Sequence, residues 1–224
     1  MNFDLSPLWL TFKLASVTTL ILFTLGVPLA YWIVFTPRRW KTVVEPLVSM
    51  PLVLPPTVLG FYLLLLFSPK SPVGNFFESV LGIKVVFTFL GLVIGSVIFS
   101  LPFMVNPIKA GLQSFPKALI EASYALGKSR RETLFKVILP NIKPALLTGS
   151  VMAFAHTVGE FGVVLMIGGS IPGVTRTASI AIFGEVEALN YNNAYFYSGV
   201  LFTIAFVILF VLNALNKKIF DVTP

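Results

Sequence analysis

The chain has 224 residues, of which 56% are hydrophobic and only 11% charged, with a formal net charge of +7 and a mean hydropathy of +0.91. So apolar a composition excludes a soluble domain and marks an integral membrane protein. With no cysteine and a single histidine, disulfides, thiolate chemistry and multi-ligand His/Cys metal centres are excluded as well.

The apolar residues fall in blocks of about 20 or more, the length a helix needs to cross a hydrocarbon core roughly 30 Å thick. Alternating segments of the kind that build an outer-membrane barrel are absent. The first span covers residues 8–35, too long for a signal-peptide core, and Lys13 near its end snorkels toward the headgroups. Arg38, Arg39 and Lys41 follow, and residues 43–67 form the second span. Within it, Pro51, Pro55 and Pro56 remove three backbone donors, so the helix breaks or kinks inside the membrane. Backbone freed at that depth survives only beside protein or a wet cavity, so Pro55, Pro56 and Thr57 either mark a packing kink or line a path.

Residues 68–84 are a connector rich in Pro, Gly and Ser; the third span is 85–105 and the fourth 145–167. Between residues 168 and 193 the apolar piece 178–183 is too short to cross. It reads as a short helix dipping into the outer leaflet, or a sixth span if the whole interval crosses. The last span is 194–215, closed by Lys217 and Lys218. The fold class is therefore all-α, a polytopic membrane helix bundle of five transmembrane helices, or six, forming a single domain over residues 1–224.

With five spans and the N-terminus outside, twelve of the 16 Lys and Arg residues lie inside; only Lys13, Lys70, Lys84 and Arg176 lie outside or near it. That asymmetry places the C-terminus in the cytoplasm and assigns the positive charge to the anionic leaflet rather than to nucleic acid.

Residues 109–143 are the one long polar interval. Pro116 suits a helix start, and Leu119, Ala122, Ser123 and Leu126 then share a face. Gly127 is a left-handed stop, Ser129-Arg130-Arg131-Glu132 is a capping box that restarts a helix, and Pro140 and Pro144 bound the next span. Gly127-Lys128-Ser129 imitates the end of a phosphate-binding loop, but Ala122 stands where that motif needs glycine. The chain itself binds no nucleotide. Taken alone, such a basic amphipathic hairpin rests on headgroups.

His156 and Glu160 lie one turn apart in the fourth span and share a face. Three readings stand: a hydrogen-bonded pair locking helices, a path-lining element, or a proton relay. Arg176, between Thr175 and Thr177, is either an anion-attracting lip or a solvated loop residue, and Glu185 and Glu187 either meet a partner or face solvent.

Glu121-Ala122-Ser123, then Gly127, then Ile138-Leu139-Pro140 resembles the EAA loop of ABC-importer permeases, with Ser123 in place of the second alanine. Residues 51–60, Gly159-Glu160-Phe161-Gly162 and Ile171-Pro172-Gly173-Val174-Thr175-Arg176-Thr177 look like the molybdate permease subunit, in the same order over nearly the whole chain. His156 departs from the arginine of many members. The resemblance implies an ABC type I importer permease fold in a bacterial inner membrane. Glu121, Ala122, Ser123, Gly127, Leu139 and Pro140 would form the ATPase-coupling loop. The path would run past Pro55, Pro56, Thr57, His156, Glu160 and Arg176, holding substrate weakly. Implied partners are a second copy of the chain, two ATPase subunits and a periplasmic molybdate-binding protein. ATP and magnesium would belong to the ATPase, leaving this chain no cofactor and no covalent chemistry. Sulfate or tungstate permeases of the same class remain open, as does a proton-coupled carrier using His156 and Glu160.

Overall fold

The computed structural model describes residues 4–220, and every regular element among them is helical. Helix α1, Ser6–Phe35, opens with a proline in its first turn and closes before Thr36-Pro37, where the residue preceding proline is driven into extended backbone. Lys41 donates its Nζ to the Val34 carbonyl at 2.6 Å, satisfying one of the acceptors left bare at the end of α1.

Helix α2, Arg38–Ser49, passes through a tight turn at Met50–Leu52 into α3, Pro56–Phe67, which leaves at 109°. The expected second span is therefore not one rod. Its apolar half is α3 alone, about 18 Å long at 1.5 Å per residue, and the prolines are the cause of the turn. Lys109 and Glu45, 3.5 Å apart, tie α2 to the next long helix. A short helix, α4, Pro72–Ser79, lies within the connector and is capped by the Ser71 hydroxyl.

Helix α5, Phe89–Ser114, runs nine residues past the end expected at Val105 and takes Pro102 and Pro107 into its interior. The polar Asn106 and Lys109 ended the apolar pattern in the sequence without ending the helix. Packing against α1 on one side and α9, Lys143–Gly159, on the other holds it through both prolines. Helices α1 and α5 run parallel, for Leu14 shares a buried cluster with Leu92 and Val93 while Ala30 and Ile33 share another with Ile108 and Leu112.

Between α5 and α9 stand α6, Lys117–Ala125, α7, Arg130–Thr133, a π-helical stretch at Leu134–Ile138, and α8, Leu139–Asn141. The chain then bends by 73° into α9. The fourth span, expected as continuous over 145–167, is broken: α9 stops at Gly159, and α10, Gly162–Gly168, begins after two non-helical residues. Helix α11, Ala178–Glu187, has ten residues, too few to cross, so the sixth span is not formed. Helix α12, Tyr191–Phe220, packs on α9 and α11 and turns Phe202, Phe206 and Phe210 outward, as a lipid-facing helix does. Among the described residues three helices, α1, α5 and α12, are long and apolar enough to cross a membrane, and the two bent pairs bring the total to as many as five. The side chains of Arg38, Lys217 and Lys218 lie outside the described residues.

The two half-helices α3 and α10 lie side by side and parallel. A Cβ on Gly162 would sit 2.8 Å from the Pro56 Cβ, and one on Gly60 would sit 2.7 Å from the Met166 Cβ and 3.0 Å from the Val163 Cα. Only glycine allows that approach. Gly60→Val should therefore lower the thermal unfolding midpoint in detergent, with a cost of about 1–3 kcal/mol for overpacking; an unchanged midpoint would mean that α3 and α10 do not touch there.

Candidate functional site

Two places carry the residues singled out by the sequence. The first is the polar hairpin. Gly127 has φ +78° and closes α6 with the Lys128 amide donating to the Ser123 carbonyl (3.1 Å) and its own amide to Tyr124 (2.9 Å). This is a Schellman ending, which needs left-handed backbone. The capping box forms as expected: Ser129 N–H donates to Glu132 Oε2 at 3.1 Å, and the Glu132 amide donates back to Ser129 Oγ at 3.3 Å. The Ser129 backbone N–H first, then Lys136 and the Ser129 hydroxyl, hold the Glu132 carboxyl down at about 2. A lowered carboxyl stabilises the cap above its ordinary value of 4.5 and releases it only as pH falls toward about 2.

Ser123, the departure from the alanine pattern, is buried and pairs with Thr133 at 2.9 Å, pinning α6 to α7. Of the face shared by Leu119, Ala122, Ser123 and Leu126, only Ser123 is buried, while Leu119, Ala122 and Leu126 stand exposed beside Glu121. The reason is that a hydroxyl pair, aided by the partly buried Ile120, joins the two helices, so no broad apolar seam is needed. At the return, Ile138 is buried, Leu139 is partly buried on the same core, and Pro140 opens outward in α8. An apolar strip of Leu119, Ala122 and Leu126 is thus left uncovered on a rigid base.

The second place is where the two broken spans meet. A cavity of about 530 Å³ is lined by Pro56, Thr57, Phe99, Ala155, His156 and Gly159 to Gly162. Of the residues expected together, Pro56, Thr57, His156 and Glu160 meet here. Pro55 does not line it, and Arg176 is elsewhere, bound to Glu185 at 3.1 Å. Glu185 also accepts from Asn190 (2.8 Å) and Asn193 (3.3 Å), so this carboxylate is a hub of the loop rather than a free docking charge.

His156 and Glu160 do not pair. Glu160 has extended backbone (ψ 134°), because the helix ends at Gly159. Its side chain leaves the face that one-turn spacing would have given it. His156 instead stacks on Phe103, with ring centroids 3.9 Å apart, and its Nδ1 meets Ser100 Oγ at 2.9 Å. Thr157 donates to the Ala153 carbonyl, so it accepts from Ser100, and Ser100 in turn accepts from His156. That chain places the histidine proton on Nδ1 and consumes it in holding α9 against α5.

Glu160 is 4% exposed, and neither of its buried carboxyl oxygens has a hydrogen-bond partner among the described residues. Ser96 on α5 neighbours it without reaching hydrogen-bond geometry, and the Ser96 hydroxyl is equally unpartnered. Neither group is open to water. Ser96 and Ser100, one turn apart in an apolar run, were visible in the sequence as a polar stripe, yet only the fold shows that the stripe faces the break.

A family model described as "Binding-protein-dependent transport system inner membrane component" matches residues 23–220. The molybdenum transport system permease protein ModB of Azotobacter vinelandii is 44% identical over 215 residues, covering 96% of this chain and 95% of that one. The probable sulfate transport system permease protein cysT of Chlorokybus atmophyticus is 32% identical over 207 residues, covering 92% of this chain and 72% of that one. Among solved structures, a bacterial ABC transporter that imports the acidic polysaccharide alginate superposes with a TM-score of 0.78 at 18% identity, covering 98% of this chain and 80% of that one. The inward-facing MetNI methionine ABC transporter gives 0.72, also at 18% identity, over 95% of this chain and 94% of that one. At that identity the likeness is one of fold.

An unpaired buried carboxyl destabilises the conformation that holds it. Glu160→Met, similar in size and apolar, should raise the thermal unfolding midpoint of the chain, for a stabilisation on the order of 1 kcal/mol or more. A lowered midpoint would show that Glu160 has a stabilising partner in the resting fold.

Proposed function

Since the chain belongs to the family of binding-protein-dependent transport system inner membrane components, we propose that it forms the molybdate path of an ATP-driven importer. It works as a homodimer with two ATPase subunits and receives the oxyanion from a periplasmic binding protein. The end-to-end likeness to a molybdenum permease supports the substrate. The observation that carries the mechanism is the hairpin: α6 stands uncovered, fixed by a glycine turn, a capping box and the Ser123–Thr133 bond.

In this reading Glu121 to Gly127 docks on the ATPase, with Leu139 and Pro140 setting the return into α9. The hairpin end is cytoplasmic, the N-terminus lies outside and the C-terminus inside. ATP and magnesium bind only in the ATPase, and this chain takes no cofactor and performs no covalent chemistry. Closing of the ATPase dimer draws the two hairpins together and turns the spans from inward-open to outward-open. The cavity at the two breaks is the part of the path this chain supplies. Among the described residues no lysine or arginine lines it, which suits weak holding of a dianion, with tight recognition left to the binding protein.

Sulfate or tungstate is the second reading, favoured by the likeness to sulfate permeases. The proton-coupled carrier has lost its structural support, because His156 engages Ser100 and Glu160 faces Ser96.

The test is co-purification with the ATPase and the binding protein. ATP hydrolysis should rise when molybdate-loaded binding protein is added and should respond less to sulfate. Gly127→Val, which forces a β-branched residue into left-handed backbone, should abolish that stimulation and weaken retention of the ATPase. Stimulation by sulfate alone would move the substrate, and full stimulation in Gly127→Val would remove the hairpin from coupling.

A further inference from the structure

The break at Glu160 is held from one side by α11. In an uninterrupted helix the Glu160 carbonyl would accept the amide of Val164; here it accepts the Ser179 hydroxyl at 2.6 Å. The Thr177 hydroxyl lies 3.0 Å from Ser179 Oγ, and since Ser179 has given its proton to Glu160, Thr177 donates to it. Phe183, one turn further along α11, meets the ring of Phe161 at 5.2 Å. Both non-helical residues of the break are therefore gripped by the same short helix.

That helix is itself anchored at both ends. The Ala178 amide donates to Thr11 Oγ1 on α1 at 2.8 Å, and Glu185 closes the loop through Arg176, Asn190 and Asn193. On the other side of the break nothing comparable among the described residues holds the Glu160 side chain. Its carboxyl and the Ser96 hydroxyl are buried, unpartnered and sealed from water, while beside Gly159 there is open space. A broken helix with a satisfied carbonyl and an orphaned side chain stays broken because of the first and is poised to move because of the second.

We infer that α11 is the latch of this break, and that Ser179 and Phe183 are positioning residues that keep Glu160 turned into the packed interior. The inference deepens the transport reading and rests on it: α11 links the loop at the end opposite the hairpin to the cavity wall, so a partner docking on that loop reaches the path through Ser179. Displacing α11 frees the Glu160 carbonyl, lets the 159–162 segment rotate and brings the carboxyl out from beside Ser96.

The absence of native cysteine makes the latch testable. Ser96→Cys places a near-isosteric thiol at a position sealed in the resting fold. Its modification by 2-aminoethyl methanethiosulfonate, followed by mass spectrometry on the full chain in lipid nanodiscs, should be slow. Adding Ser179→Ala should speed it about five-fold, the factor that loss of one net hydrogen bond of about 1 kcal/mol gives. Ser179→Thr, which keeps the hydroxyl, should restore the slow rate, and Phe183→Ala should act in the same direction as Ser179→Ala. Ile108→Cys, buried in α5 away from the break, should stay slow throughout, which separates local release from general loosening. An unchanged Ser96→Cys rate in both the Ser179→Ala and Phe183→Ala backgrounds would overturn the latch, as would equal acceleration at Ile108→Cys. Neither result would touch the transport reading, which fails separately if the unsubstituted complex shows no ATPase stimulation.

Discussion

Backbone that is not in a helix has to be sheltered when it lies between apolar spans, and this constraint organises the molecule. Two segments break inside the bundle, one at Met50 to Pro55 and one at Glu160 to Phe161. Neither can be left facing lipid. The solution is to set the half-helices that follow, α3 and α10, against each other through Gly60 and Gly162 and to seat α10 on α5. Each break is covered by the element that the other break creates, and the cavity lies where their first turns come together.

Around that pair the remaining elements divide by stiffness. Helices α1, α5 and α9 form a tightly packed triad with fully buried Leu14, Leu22, Met104, Ile108 and Ala153. The His156–Ser100–Thr157 chain adds polar stitching between α5 and α9. The hairpin at the other end is stiff for a different reason, because its turn, cap and seam are all local hydrogen bonds. A rigid hairpin joined to a rigid triad transmits displacement, and the break, with a satisfied carbonyl and an unsatisfied carboxyl, is where displacement has somewhere to go. In the proposed transport mechanism, work delivered at α6 would reach the cavity at Glu160 through this frame.

Much of this was legible in the residues. The apolar blocks gave the spans, Pro51, Pro55 and Pro56 gave the first break, and Gly127 with Ser129 and Glu132 gave the hairpin, because each of these works through local backbone chemistry. The second break was not legible: Gly159-Glu160-Phe161-Gly162 contains no proline, and a glycine inside an apolar run is ordinary in membrane helices. Reading the helix through it produced the false contact between His156 and Glu160. The extent of α5 was missed because the polar Asn106 and Lys109 interrupt the apolar pattern, while Lys109 is received by Glu45 of α2, a partner distant in sequence. Partners distant in sequence, such as Ser179 for the Glu160 carbonyl and Glu185 for Arg176, follow from packing and have no local signal. Ser123 shows the reverse case: an apparent lapse from a sequence pattern turns out to be the bond that holds the hairpin.

The most direct measurement is uptake of radiolabelled molybdate into proteoliposomes containing the assembled complex, with binding protein outside and ATP sealed inside. Accumulation that needs internal ATP and survives a protonophore is the predicted result. Uptake that proceeds without the ATPase subunit and collapses with the proton gradient would contradict the view of this chain as an ATP-driven permease and return His156 and Glu160 to the centre of the chemistry.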